Sequence, residues 1–124
     1  MQLTWQRNKH PHHIIAADER GIRIGAHWHT GSLLVNASEL ITDWPVGHSN
    51  QLSLDSLEPV LCNLPEVLLL GTGERQIFPD ITLLQSLFQQ GIGVEIMHTL
   101  AACRTFNVLL SEQRKVTAAL IRTR

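Results

Sequence analysis

One stretch of this chain, residues 93–110, constrains the fold more than any other part of the sequence. Ile92 to Met97 has the apolar character of a buried strand, and the spacing typical of an amphipathic helix begins directly after His98. A strand that passes almost directly into a helix is typical of an α/β protein. The stretch also carries polar groups where packing alone favours apolar ones, with a carboxylate in the strand and a thiol, a guanidinium, a hydroxyl and an amide in the helix.

The preceding residues show the same alternation of strand and helix. Residues 67–70 are continuously apolar, which predicts a strand buried on both faces, and the glycine turn of residues 71–73 ends it. Asp80 is the predicted N-cap of a helix that ends at Gly91. The apolar face of this helix is predicted from the spacing of Ile81, Leu84, Leu87 and Phe88.

The end of the chain completes a β-α-β-α-β order. Thr99 is the predicted N-cap of the second helix, which ends near Gln113, and residues 116–121 form the last strand before a solvated tail. This order indicates an α/β fold with a mixed or parallel sheet, helices packed on it and right-handed crossover connections.

The first half of the sequence is predicted to be rich in β-structure. Residues 13–17 and 22–26 form the two strands of a hairpin, with Asp18 to Gly21 as its turn. Further predicted elements are two short strands and a helical turn, over residues 33–35, 41–44 and 55–61.

Charge and hydropathy narrow the classes of function. Ten Lys and Arg against eleven Asp and Glu leave a formal net charge of -1, which argues against a nucleic-acid partner because phosphate binding needs a basic field. No apolar run reaches the roughly 20 residues that span a bilayer, and the first residues lack the features of a signal or transit peptide. We therefore expect a cytoplasmic protein of one domain, residues 1–124, without a membrane span.

The glycine turn, Gly71-Thr72-Gly73, resembles part of a dinucleotide-binding motif. Gln76 stands in place of the third glycine, the helix begins only after Pro79, and Glu95 lies within a strand rather than at its tip. These departures favour a structural turn between strand and loop. A site for an anion on the backbone amides of the turn is the alternative.

Glu95 and Arg104 are the charged residues of the strand–helix stretch. A carboxylate on a strand that helices cover on both faces needs a partner, and Arg104 lies early in a helix, where the macrodipole disfavours a cation. The two residues predict either an ion pair between strand and helix or a site in which Arg104 binds an anionic ligand.

Cys103 and His98 have a catalytic and a structural interpretation. A thiol near a helix N-terminus, with a histidine upstream as base, is suited to nucleophilic catalysis. A lone buried thiol more often behaves as an inert hydrophobic group, which we favour for Cys103 and also for Cys62. No disulfide is expected between these two residues.

Thr105 and Asn107 are poor helix formers in the body of a helix. Their side chains are therefore predicted either to bind backbone or loop groups, with the glycine turn as one candidate, or to line a pocket for a small polar ligand.

Histidine and tryptophan are concentrated in the first half of the chain. The histidines there include two groups, His10, His12 and His13, and His27 and His29. They lack the spacing of a known ligand set, so adventitious metal binding is favoured over a metal site. The tryptophans are Trp5, Trp28 and Trp44. One or two of them are predicted to be core residues, and an exposed one would mark a contact surface.

The combined pattern resembles the Mth938-like family, long labelled DUF498. The matching segments are residues 69–73, 91–99 and 102–109, with Glu112 and residues 114–116 continuing the pattern. The resemblance covers roughly the whole chain. It implies a compact three-layer α/β fold with a mixed central β-sheet and an N-terminal β-hairpin region. Relatives in this family include a mitochondrial assembly factor of respiratory complex I, the assembly factor 3 type, and bacterial members, among which we expect this chain.

The family offers no accepted catalytic residues. The motif residues define a candidate pocket only, which comprises Gly71, Thr72, Gly73, Glu95, His98, Cys103, Arg104, Thr105 and Asn107.

Two functions are consistent with the sequence. The preferred one is a non-enzymatic binding or assembly module without a cofactor, which requires an exposed apolar patch, with one of the tryptophans, for a protein partner or a second copy of the chain. The alternative is an enzyme or sensor for a small molecule or an anion, with its pocket between the glycine turn and the N-terminus of the 99–113 helix. The first is preferred because the sequence contains no complete catalytic constellation.

Overall fold

The N-terminal region forms a three-stranded antiparallel sheet, as seen in a computed structural model that describes residues 10–122. Its strands are β1 (Ile14–Asp18), β2 (Gly21–Ile24) and β3 (His27–His29). The predicted hairpin is present, but its second strand is shorter than predicted because Gly25, with a φ of 60°, turns the chain into β3. Gly21 is required at the first turn, since its φ is 141° and an added Cβ would clash with the backbone carbonyl of His29.

A five-stranded mixed sheet lies at the centre, in the order β5-β4-β8-β6-β7. β4 (Leu33–Val35) pairs antiparallel with β5 (Leu40–Ile41) and with β8 (Val116–Leu120). β6 (Val67–Gly71) pairs parallel with β8 on one side and with β7 (Gly93–Met97) on the other. The mixed sheet predicted from the β-α-β-α-β order is therefore confirmed, and β5 and β7 are its edges among the strands of residues 10–122.

Three helices, α1 (Glu58–Leu61), α2 (Ile81–Gln89) and α3 (Thr99–Ser111), connect these strands, and a 3-10 turn covers Ser49–Gln51. Asp80 caps α2 as predicted, since its carboxylate accepts a hydrogen bond from the Thr82 N–H at 3.1 Å. Within residues 10–122, none of the helices has the length and apolar character needed to cross a membrane.

Apolar side chains pack on both faces of the central sheet and produce three layers. On one face the N-terminal sheet and α3 contribute Ile22 and Phe106 to a buried cluster, and on the other face α2 contributes Leu87. In β6, Leu69 belongs to the first cluster and Leu68 to the second, which explains why this strand is continuously apolar. The predicted three-layer α/β fold is confirmed.

Two predictions in the first half are wrong. The strand predicted over residues 41–44 ends at Ile41, because Asp43 has a φ of 54° and turns the chain away from the sheet. Trp44 is then buried, and its indole Nε1 donates to the Ser56 carbonyl at 2.8 Å. Cys62 is exposed rather than part of the core, and its thiol donates to the Glu58 carboxylate at 2.8 Å instead of packing against apolar side chains.

Candidate functional site

The polar residues that begin α3 bind the backbone of neighbouring elements. His98 is the N-cap, and its Nδ1 accepts a hydrogen bond from the Ala101 N–H at 3.3 Å. Thr99, predicted as the cap, is instead the first residue of the helix and is buried. Its hydroxyl accepts from the Gly73 N–H at 2.8 Å and donates to the Ile121 carbonyl at 2.7 Å. Because these two contacts occupy the Thr99 hydroxyl, His98 supplies the cap.

The glycine turn packs closely against this helix start. An added Cβ at Gly71 would lie 3.0 Å from Thr99 Cα, so the close approach requires glycine. The Thr72 N–H donates to the Met97 carbonyl at 2.9 Å, and the Gly73 N–H is bound by Thr99. The protein itself therefore occupies these two amides, which removes them as donors to an anion.

Glu95 and Arg104 do not form the predicted ion pair. Both residues are exposed. The ion pairs within residues 10–122 are Arg20–Asp18 and Arg114–Glu66. The prediction assumed that β7 is covered on both faces, but β7 is an edge strand, from which a side chain reaches water. The Glu95 carboxylate therefore faces water and has no charged partner within the described part of the chain.

Cys103 lies in the contact between α3 and the central sheet. It is 3% exposed and belongs to the same buried cluster as Leu69 and Phe106. This burial raises the pKa of the Cys103 thiol to about 12, although Arg104 and Arg122 oppose the shift. The thiol therefore remains protonated at neutral pH, which fits an inert hydrophobic group better than a nucleophile.

Asn107 and Thr105 bind groups other than the glycine turn, so that part of the prediction is wrong. The Asn107 side chain forms two hydrogen bonds of 2.8 Å with the backbone of Ile14, accepting from its N–H and donating to its carbonyl. The amide thus acts as a strand partner for the start of β1 and joins the N-terminal sheet to α3. The Thr105 hydroxyl donates to Met97 Sδ at 3.5 Å.

A cavity of about 460 Å³ lies at the N-terminal end of α3, between the first hairpin turn and the glycine turn. Two of the predicted site residues, Gly73 and His98, line it. The predicted residues outside its lining are Gly71, Thr72, Glu95, Cys103, Arg104, Thr105 and Asn107. The wall also includes Asp18, Glu19 and Glu74, whose carboxylates disfavour an anionic ligand.

Arg122 lines the same cavity, although its terminal position predicts a solvated tail. Its guanidinium donates to the carbonyls of Asp18 at 2.7 Å, Glu19 at 3.2 Å and Thr30 at 3.3 Å. The backbone N–H of Arg122 donates to the Ser32 hydroxyl at 2.8 Å. A single arginine after the last strand carries no periodic signal, so the sequence offered no way to find these contacts.

The histidine groups and the tryptophans were the candidates for a metal site and for a contact surface. Among residues 10–122, no three or more His, Cys, Asp or Glu side chains are placed to hold a metal ion. His27 and His29 both lie on β3. Trp28 is half-buried, with the Arg20 guanidinium 4.5 Å from its ring centroid. Trp5 lies outside the described residues.

A second concave surface, which we name the α2–β7 groove, lies between α2 and the edge strand. Its volume is about 650 Å³. Its lining is mostly apolar, with two glutamine side chains and Phe78, Leu84, Phe88, Ile92, Val94 and Ile96. No charged side chain of the described chain lines this groove.

Exposed apolar residues lie in this groove and at the start of α2, where the sequence did not locate the apolar patch that a binding module requires, and none of the described residues lining the groove is a tryptophan. Phe88 is 78% exposed, Ile81 is 68% exposed and Phe78 is 66% exposed. The helical spacing predicted Ile81 and Phe88 on the buried face of α2, but the buried residues of this helix are Leu83 and Leu87. The excess of apolar residues over those that one face can bury was the available signal.

Comparisons with known proteins agree with this architecture. Residues 14–121 match the sequence profile of a family described as "Protein of unknown function (DUF498/DUF598)". A Xenopus tropicalis protein named "NADH dehydrogenase (ubiquinone) 1 alpha subcomplex assembly factor 3" is 41% identical over 83 residues, which are 65% of this chain and 45% of that protein. A Francisella tularensis protein named "13 kDa major membrane protein" is 35% identical over 65 residues, 52% of this chain and 53% of that protein. The chain spans about half the length of these curated relatives.

Solved structures share the fold. An NMR structure of a Xanthomonas campestris protein has a TM-score of 0.81 and 39% identity, and the match covers 98% of this chain and 92% of that one. A solution structure from Bordetella pertussis, described as a Mth938-like domain, has a TM-score of 0.77 and 25% identity, with coverages of 93% and 86%. On the profile match and the shared three-layer fold, this chain belongs to the DUF498/DUF598 family and has the fold of a Mth938-like domain.

Proposed function

We propose that this chain is a non-enzymatic binding module that serves the assembly of a larger protein complex. The observation that carries the proposal is the α2–β7 groove, beside which Phe78 and Phe88 are mostly exposed and whose walls carry no charge from the described residues. An exposed apolar patch of this kind is typical of a protein-binding surface, and buried aromatic anchors supply much of the binding energy at such surfaces.

The free energy that a partner gains by burying the exposed apolar side chains favours a transient contact. Full burial of Phe78 and Phe88 contributes roughly 3–6 kcal/mol, at about 1.5–3 kcal/mol for each side chain. Association itself costs about 4–15 kcal/mol in lost freedom of motion. The two terms are of similar size, so additional contacts must complete the interface, and an accessory factor that binds and leaves fits this balance.

The relatives support the same interpretation. The Xenopus tropicalis relative is named as an assembly factor of NADH dehydrogenase. We infer a related task for this chain, carried out in the cytoplasm on the subunits of such a complex. Only about half of the relative's length is matched, so the inference concerns the task of this domain.

The contacts of the candidate pocket residues support a non-enzymatic role. The Cys103 thiol is buried and protonated, and the Nδ1 of His98 is bound as the cap of α3. Glu95 and Arg104 are exposed without an ion pair within residues 10–122. Cys103 thus packs in the core, His98 caps α3, and Glu95 and Arg104 face water, so these residues do not form a shared reaction centre.

Partner capture by matched variants tests the proposal. Immobilised wild-type protein, the double variant Phe78→Ser/Phe88→Ser and the control Val108→Ser are exposed to detergent-solubilised membranes from the source cells. Val108 is 54% exposed and lies on α3, at the opposite face of the sheet. We expect wild type and control to enrich NADH dehydrogenase subunits, and the double variant to enrich them about tenfold less, which corresponds to about 1.4 kcal/mol.

The outcomes of this capture experiment separate two claims. Equal enrichment by all three proteins would contradict a role of the groove. An absence of NADH dehydrogenase subunits from every sample would contradict the assembly function. Melting temperatures of the three proteins show whether each variant is folded.

Small-molecule binding in the cavity at the N-terminal end of α3 is a second candidate function. The volume of this cavity, about 460 Å³, lies within the roughly 300–1,000 Å³ of known ligand sites. The carboxylates of Asp18, Glu19 and Glu74 favour a neutral or cationic ligand. A thermal-shift screen of metabolites tests this, because a ligand of the cavity raises the melting temperature of wild type and has less effect on Glu74→Ala. A screen without any shift would reject it.

A further inference from the structure

We propose that the α2–β7 groove binds an extended segment of a partner protein, which adds to β7 as a further strand of the five-stranded sheet. This inference rests on the proposed function and specifies how the partner is bound. The segment alternates apolar residues, which enter the groove, with basic residues, which lie beside Glu95.

The outer edge of β7 offers backbone groups to such a strand. The Gly93 N–H donates to the Glu66 carbonyl, just before β6, at 2.9 Å. The Met97 carbonyl accepts from the Thr72 N–H, just after β6, also at 2.9 Å. Gly93 and Met97 therefore direct their backbone groups toward β6. Because these directions alternate along a strand, the backbone groups of Val94 and Ile96 point away from the sheet.

The side chain of Gln76 already forms one of the hydrogen bonds that an added strand would form. Gln76 Nε2 donates to the Ile96 carbonyl at 2.8 Å, the position that a partner's N–H would take. Gln76 is exposed, and replacing its single hydrogen bond by one from a partner strand changes the free energy little. Within residues 10–122, the N–H groups of Val94 and Ile96 have no hydrogen-bond acceptor.

The side chains of the same two residues lead into the groove. Val94 and Ile96 line it together with Phe78 and Phe88. Side chains of neighbouring strands alternate between the same two faces of a sheet. A strand added to β7 therefore places every second side chain against the exposed aromatic rings, so backbone pairing and apolar burial act together, as in other cases of strand addition.

The opposite face of the added strand lies beside a carboxylate. Glu95 alternates with Val94 and Ile96, is exposed, and has no ion pair within residues 10–122. Opposite charges in a direct cross-strand pair contribute favourably, and like charges in the same place are destabilising. A basic residue of the partner, placed opposite Glu95, therefore fits this edge.

The same charge argues against a second copy of this chain as the occupant. Two β7 strands related by a two-fold axis pair best with Val94 of each copy opposite Ile96 of the other. This register places each Glu95 directly opposite the other Glu95, which is destabilising. The geometry therefore favours a different protein whose segment carries basic residues.

Synthetic peptides test the pairing and its charge preference on the full chain. The probes are peptides of about nine residues with blocked ends, one alternating valine and lysine and the other alternating valine and glutamate. We expect the valine–lysine peptide to bind wild type about fivefold more tightly, as measured by fluorescence anisotropy, and Glu95→Lys to reverse this order. An equal affinity for both peptides, or an order that Glu95→Lys leaves unchanged, would overturn the charge assignment.

Two matched variants at Val94 test the backbone contact. Val94→Pro removes the outward N–H without removing a bond to β6, and edge strands tolerate proline at such positions. It is expected to weaken binding of the valine–lysine peptide about tenfold, whereas Val94→Ile, which keeps the N–H and an apolar β-branched side chain in the groove, stays within about twofold of wild type. A valine–lysine peptide with N-methyl groups on alternate residues gives the same test if Val94→Pro does not fold. Unchanged affinity in these experiments would overturn strand addition.

The remaining outcomes separate this inference from the proposed function. If the peptide fails to bind while Phe78→Ser/Phe88→Ser still abolishes capture of NADH dehydrogenase subunits, strand addition is overturned and the binding module stands. If no subunits are captured by any protein, the proposed function fails regardless of the peptide result. A dimer in sedimentation that Val94→Pro dissociates would show a second copy on this edge and overturn the choice of occupant.

Discussion

The helices α2 and α3 pack on opposite faces of the same sheet and use their unusual residues in opposite ways. In α3, the polar residues Thr99 and Asn107 interrupt an apolar pattern, and both bind backbone groups of neighbouring elements. In α2, Ile81 and Phe88 continue an apolar pattern and are exposed. The comparison shows that polar residues of α3, among them the candidate pocket residue Asn107, hold the fold together, whereas residues resembling core form the proposed contact surface.

Adjacent residues of α2 give the largest expected contrast. Leu87 is fully buried and Phe88 is 78% exposed. Leu87→Ala is expected to lower the free energy of unfolding by about 2–5 kcal/mol, because it leaves a cavity in the core. Phe88→Ala is expected to change it by about 0.5 kcal/mol or less. Urea unfolding of both variants measures the difference, and similar losses would mean that Phe88 contributes to the core.

Two threonines of α3 provide the next contrast. Thr99→Val removes a hydroxyl with two backbone partners and leaves the Gly73 N–H and the Ile121 carbonyl without them. The expected loss in the free energy of unfolding is about 2–4 kcal/mol. Thr105→Val removes only a hydroxyl bound to Met97 Sδ, and its expected loss is below about 1 kcal/mol. Chemical denaturation measures both, and the interpretation of Thr99 fails if the two losses are equal.

The smallest expected effect is a dependence of the free energy of unfolding on pH, which arises from the buried Cys103 thiol. Burial raises its pKa from 9.0 to about 12. Above pH 9 the thiol of the unfolded chain loses its proton while the folded one keeps it. Stability therefore falls as pH rises toward about 12, by about 1.4 kcal/mol for each pH unit, which is about 1.4 kcal/mol in total by pH 10. Below pH 9 both states are protonated and the thiol contributes no slope.

Removal of the other thiol makes this measurement specific. Cys62 is exposed, so Cys62→Ala serves as the background in which Cys103→Ala is compared with the intact thiol. The free energy of unfolding, measured from about pH 8 to pH 10, should fall more steeply with Cys103 present. Parallel slopes in the two proteins would indicate that solvent reaches the thiol, and a structural role for α3 would lose this support.

The predicted elements were correct where a segment is apolar on both faces or has one capping candidate. The strand over residues 67–70 and the Asp80 cap are examples, because burial by both neighbouring layers and a lone carboxylate leave few alternatives. The cap of α3 was wrong because His98 and Thr99 are both suited to it. Gly73 and Ile121, distant along the chain, occupy the Thr99 hydroxyl and leave the cap to His98.

The candidate site was less predictable than the fold. The Glu95–Arg104 pair depended on the position of β7 within the sheet, and strand order is not contained in the local pattern of one strand. The contacts of Arg122 likewise depend on where the hairpin turn lies after folding. The same limitation hid the α2–β7 groove, because helical spacing identifies an apolar face without showing how much of it the sheet covers.

By itself, the sequence determined the α/β class, the alternation of strands and helices, and the motif shared with the Mth938-like family, since each follows from local periodicity and residue type. Only the tertiary structure decided which residues face a partner and which hold the fold. Exposure depends on β7 lying at the edge and on α2 covering the sheet with Leu83, Leu84 and Leu87 while Ile81 and Phe88 stay outside the contact. The packing of distant segments sets both, so polar residues of α3 became internal contacts while Phe88 remained exposed.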